Sequence, residues 1–223
     1  MDNLYFAVAA VLLIAAAAAG SFVYLVRRTE RSATFRDMIL GKKWLTECIV
    51  CLAALLIGWV IFLKGFTGLE KVFIRALIDG MAAVWLIMVG YIDLREKIIP
   101  NALIGAGLIF WVVIALLDVF VAGNHWVSTL MFSLAGGLVL GGILFVLALI
   151  LKNALGMGDA KMFLVLGLLY GLNDTYTVML LSMVIMAVVS LVLLALKKVT
   201  PKTAIPMAPF VAVGFLLSIF AGM

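Results

Sequence analysis

Two short stretches of this chain hold residue types suited to chemistry: Asp93-Leu94-Arg95-Glu96-Lys97-Ile98-Ile99-Pro100-Asn101 and Gly156-Met157-Gly158-Asp159-Ala160-Lys161. Each places one aspartate at the end of a long apolar segment, and the second aspartate follows a Gly-x-Gly turn. A carboxylate at the border of a hydrocarbon layer is costly unless it is paired or used. Two of them on one side of a membrane, on different helices, point to a single shared site. Two close carboxyls do not readily ionise together, so one keeps a proton near neutral pH while the other loses it. The ionised group can activate water as a general base, and the protonated one can polarise a carbonyl. That is the chemistry of aspartyl peptide hydrolysis, which needs no metal.

The neighbouring residues fit such a site. Gly156 and Gly158 permit positive φ and leave no side chain between backbone and substrate. Asp159 is then expected to cap the helix that follows, accepting from a backbone N–H of its first turn. Pro100 closes the loop after Asp93, Lys161 lies one short step beyond Asp159, and Glu47 opens another apolar segment on the same side as a candidate third acidic position. Asp79 and Asp118 fall towards the other ends of their segments, roughly 20 Å away. Asp79 is expected to pair with Arg75, one turn earlier. The single histidine, His125, falls on the opposite side, so neither a Ser-His pair nor a His-based metal site is expected beside the aspartates. Cys48 and Cys51 sit in an apolar run and read as small packing residues, because zinc would need further ligands.

The elements that must position these residues are membrane helices. With 67% of residues hydrophobic and 12% charged, a soluble globular domain is excluded. The expected fold is all-α and polytopic, with about eight crossings at roughly 20 residues each. Candidate spans lie near 3–26, 45–63, 72–92, 102–121, 129–151, 162–172, 176–196 and 204–222. The sixth would rise only about 16 Å as a helix, so it must borrow from its flanks. Arg27, Arg28, Arg31, Arg36, Lys42, Lys43, Arg95, Lys97, Lys152, Lys161, Lys197, Lys198 and Lys202, 13 of the 16 Lys and Arg, fall on one face. By the positive-inside tendency that face is cytoplasmic, with both chain ends outside and both aspartates inside. The net charge of +5 thus describes membrane topology, and no nucleic-acid partner is needed to explain it.

The whole of 1–223 reads as one membrane-embedded domain with a short basic cytoplasmic loop at 27–44. The first apolar stretch has its arginines after it, as in a reversed anchor that is retained. Gly136, Gly137, Gly141 and Gly142 are spaced for close helix contact. Pro201, Pro206 and Pro209 predict an irregular entry to the last span.

Together these residues resemble the type IV prepilin peptidases, bacterial leader peptidases of the Gly-x-Gly-Asp aspartyl class. Asp93 to Asn101 has their Asp-x6-Pro-Asn form, and Gly156 to Lys161 their Gly-x-Gly-Asp-x-Lys form. Gly20-Ser21-Phe22-Val23-Tyr24 with Arg27 is similar to the first-helix signature of the larger bacterial branch. Ile205-Pro206-Met207-Ala208-Pro209-Phe210 is similar to the opening of its last helix. The resemblance implies that Asp93 and Asp159 are the catalytic pair, in a multi-pass protein of the bacterial inner (cytoplasmic) membrane whose site faces the cytoplasm. It implies a substrate as well, the basic leader of a type IV pilin-like precursor, cut after a glycine. Many members also methylate the new amino terminus with S-adenosylmethionine, and those typically carry a four-cysteine zinc ribbon after the first helix. Here the 27–44 loop has no cysteine. Glu47 resembles the acidic position linked to methylation.

Two other readings use the same carboxylates. A Gly-x-Gly-Asp protease cutting within transmembrane helices would place the scissile bond deeper. A proton-coupled transporter would place acidic residues near mid-bilayer on a pair of broken helices.

Overall fold

The computed structural model describes residues 43–65, 70–121, 126–150, 156–200 and 203–221. The expected first span, most of the 27–44 loop, the first-helix signature and His125 lie outside the described residues. Among those described there is no strand. The helices are α1 (Lys43–Gly65), α2 (Glu70–Glu96), α3 (Asn101–Val121), α4 (Trp126–Gly136), α5 (Gly142–Ile150), α6 (Met157–Ala195) and α7 (Ala208–Ala221). A π-helical turn, Gly137–Gly141, joins α4 to α5. Among the described residues, three stretches are long and apolar enough to cross a membrane: Arg75–Glu96, Val127–Ile150 and Met157–Ala195. Cys48–Leu63, Asn101–Leu117 and Ala208–Ala221 are shorter apolar helices.

The chain divides into two compact units, Met1–Met88 and Val89–Met223. In the first, α1 meets α2 almost backbone to backbone: a Cβ on Gly58 would lie 2.8 Å from the Gly80 carbonyl oxygen. Cys51 is buried with its thiol 4.0 Å from the Met88 sulfur, while Cys48 is part-exposed, in keeping with packing roles. Arg75 and Asp79 form the expected pair at 3.5 Å.

In the second unit, α6 is the central element, packed by α3, α4, the π-turn, α5 and α7. It is two arms in sequence, because Gly171 leaves the helical region at φ 72° and ψ −170°. Only glycine adopts that backbone without strain. The Thr175 hydroxyl donates to the Leu166 carbonyl at 3.1 Å, nine residues back. In a straight helix nine residues span about 13 Å, so the chain turns back on itself at Gly171. The sequence divides this region into 162–172 and 176–196. The first arm instead begins at Met157, which is where the short span finds its missing length.

A helix that stops inside an apolar layer leaves carbonyls unpaired, and each must find a donor. Thr175, on the second arm, ties back to the Leu166 carbonyl. Ser133 on α4 donates to Leu168, and accepts in turn from the Trp111 ring N–H on α3 at 2.7 Å. The glycines of α4 let these segments close. A Cβ on Gly136 would fall 2.4 Å from the Gly171 carbonyl carbon, and one on Gly141 would fall 2.5 Å from the Leu164 Cβ. Gly137 faces Leu168 in the same way, whereas Gly142 faces open space, so three of the four glycines pack as their spacing predicts.

Candidate active site

Asp93 lies in the last turn of α2 and is 5% exposed. The helix ends three residues later because Lys97 takes the left-handed conformation at φ 53°, with its N–H donating to the Asp93 carbonyl at 2.8 Å. This is a single-bond αL stop with lysine where glycine is usual. A non-glycine residue held there costs of order 1–3 kcal/mol. The stop turns the chain so that Ile99 and Pro100 run inward and are buried. The Pro100 carbonyl then accepts from Leu103 at 3.0 Å and starts α3.

The Asp93 carboxylate meets the entry of α7. Its Oδ2 accepts from the Ala208 backbone N–H at 3.1 Å, and the Met207 backbone adds a second interaction. The sequence explains why these donors are free. Ala208 is the first residue of α7, whose early N–H groups have no partner within the helix, and Pro209 has no N–H to offer. Asp93 supplies from another helix the acceptor that a capping side chain would provide. A carboxylate at that end also opposes the helix dipole.

Asp159 is the third residue of α6, after Met157 and Gly158, and Gly156 is the N-cap. The expectation that Asp159 itself caps the helix is therefore corrected. Its carboxyl reaches back to the Gly156 backbone, the reciprocal half of a capping box. Gly156 is extended at φ −72° and ψ 133°, and Gly171 alone has positive φ among the described glycines. Positive φ at Gly156 and Gly158 is thus also corrected, and space is the reason for both. A Cβ on Gly156 would fall 2.7 Å from Asp159 Oδ2, and one on Gly158 would fall 2.9 Å from the Ile99 Cβ.

The two aspartates interact electrostatically within the second unit. Lys161, two residues past Asp159, donates to Asn101 Oδ1 at 2.9 Å. Both motifs are thereby joined twice, by Ile99 on Gly158 and by Asn101 to Lys161. Asp93, Asp159, Gly156, Gly158, Lys161 and Pro100 all belong to this arrangement. Glu47 lies in α1 of the first unit, and its side chain is outside the described residues.

Sequence reasoning missed Ile99 as the lid on Gly158 and the Ala208 amide as the partner of Asp93. The Pro206-to-Pro209 spacing held a signal for the second, since prolines around a helix start leave few amides free. Nothing in the sequence marked Ile99.

A family model described as the type IV leader peptidase family matches residues 80–191, half of the chain. The chain belongs to the type IV leader peptidase family. It is accordingly a leader-peptidase-like protease, and its long apolar helices make it a membrane protein. The matched segment of this leader peptidase relative contains both aspartate motifs and stops short of α7. No curated protein and no solved structure matches the chain.

Proposed function

We propose that this protein is a membrane aspartyl endopeptidase that removes the basic leader of type IV pilin-like precursors at the cytoplasmic face, with Asp93 and Asp159 as its catalytic pair. The observation that carries the reading is the meeting of the two aspartate motifs, joined by Ile99 on Gly158 and by Lys161 to Asn101. Eight crossings with both chain ends outside belong to the same reading, since 13 of 16 basic residues then face the cytoplasm.

The Asp93 carboxylate has two backbone partners, Ala208 and Met207, against one, Gly156, at Asp159, which suits Asp93 to the base role. As it takes a proton from water, the water oxygen bonds to the scissile carbonyl carbon, and Asp159 gives its proton to the carbonyl oxygen. The tetrahedral diol collapses when Asp159 takes back a hydroxyl proton and Asp93 passes its proton to the amide nitrogen, which leaves as the C–N bond breaks. Gly156 leaves room for the Asp159 carboxyl, and Gly158 leaves room for Ile99, which ties the two motifs together. No step uses a metal. Methyl transfer with S-adenosylmethionine would be a separate activity, involving Glu47.

The decisive experiment incubates the purified protein, in lipid vesicles, with a pilin-like precursor and sequences the product. Cleavage after a glycine at the border of leader and apolar helix is expected. No cleavage, or a cut deep inside the apolar helix, would overturn the reading.

A further inference from the structure

We propose that Gly90 is a positioning residue for Asp93: its missing side chain lets the entry of α7 settle against α2, so that the Ala208 N–H reaches the Asp93 carboxylate. The inference rests on the reading of Asp93 as one of the catalytic pair.

Gly90 and Asp93 are three residues apart on α2 and share one face. A Cβ on Gly90 would stand 3.0 Å from the Pro209 Cα, 3.3 Å from the Pro209 N and 3.5 Å from the Ala208 carbonyl carbon. All three are backbone atoms, so no flexible side chain can swing aside. Room for a methyl group would have to come from moving the α7 entry by a few tenths of an ångström. The group that moves with it is the Ala208 N–H, 3.1 Å from Asp93 Oδ2 and fully buried with it. Glycine is a poorer helix former than alanine, so its use within this 27-residue helix is unfavourable locally. The close approach of α7 is what it gains.

The test uses the full chain in vesicles and the steady-state kinetics of precursor cleavage. Gly90→Ala is expected to lower kcat about tenfold with KM within about twofold, since misplacing a catalytic group by 1 Å can cost about a hundredfold. Ala208→Pro replaces that N–H with a ring carbon, at a first helical position that accepts proline, so the bond to Asp93 cannot form and kcat is expected to fall at least as much. The double variant is expected to be no slower than the slower single one, because both changes break the same bond. Gly142→Ala, whose Cβ meets nothing, should leave kcat unchanged. Gly136→Ala, a clash away from Asp93, should lower folded yield and not kcat per folded molecule. Wild-type kcat in Gly90→Ala, or full additivity in the double variant, overturns the proposal. Should Gly90→Ala not fold, Ala208→Pro decides: normal kcat there also overturns it. If Asp93→Asn itself cleaves normally, the catalytic reading fails instead, which is a separate result.

Discussion

Gly158 and Ile99 lie so close that a Cβ on the glycine would come within 2.9 Å of the isoleucine Cβ. The contact locks the turn after Asp93 onto the turn before Asp159. Gly158→Val should therefore push the two aspartate motifs apart and lower cleavage per folded molecule by about a hundredfold. Gly137→Val, crowding Leu168 instead, should chiefly lower the amount of folded protein. Activity and abundance measured side by side distinguish these outcomes, and equal specific activity in both variants would remove the site role of Gly158.

Asp93→Asn and Asp159→Asn should each lower cleavage by about 10²–10⁴-fold, the usual contribution of a general acid or base. Both keep an oxygen acceptor of similar shape, so insertion and abundance should stay close to normal. Western blotting of membrane fractions with a precursor-processing assay checks this. Substantial processing by either variant removes that aspartate from the mechanism.

The turn at Gly171 predicts an effect on stability. Thr175→Val removes the bond that ties the two arms together across Gly171 and should cost about 0.5–1.5 kcal/mol. Gly171→Ala forces a side chain into a positive-φ extended backbone that is essentially confined to glycine, and should cost about 1–3 kcal/mol. Thermal unfolding in detergent micelles should show lower midpoints for both than for Thr177→Val, whose hydroxyl bonds an exposed carbonyl within its own helix. Equal midpoints would show that the break needs no such support.

Methylation and cleavage should separate. A chelator should leave cleavage unchanged, because neither aspartate needs a metal. If methyl transfer with S-adenosylmethionine occurs, Glu47→Gln should remove it and spare cleavage. Mass spectrometry of the processed product reads both activities at once. A methylated product from Glu47→Gln would show that Glu47 is dispensable for transfer.

Much of this was legible in the sequence because membranes impose simple rules. Long apolar segments become helices, and charges sort to their ends. Asp93, Asp159 and the Arg75–Asp79 pair could be read from those rules and from local spacing. Three-dimensional neighbours could not. Ile99 is an ordinary apolar residue until the Lys97 turn swings it over Gly158. Gly156 and Gly158 suggested a backbone requirement, whereas the structure shows a steric one, because what limits them comes from Ile99 and from the Asp159 side chain. Gly171 was hidden for another reason. A lone glycine among apolar residues is common in helices, and its break is held by side chains elsewhere in the chain, Ser133 on the Leu168 carbonyl and Thr175 on that of Leu166.

The bond from the Ala208 amide to Asp93 has a consequence for where this enzyme can be cut. The segment shared with the family, 80–191, carries both aspartates but not the amide that steadies one of them. A fragment trimmed to that segment would keep every acidic atom of the pair and lose the hold on Asp93. The last helix would be missed even though it contributes no acid, base or nucleophile of its own: what it brings is the start of a helix, delivered to a carboxylate more than a hundred residues earlier in the chain.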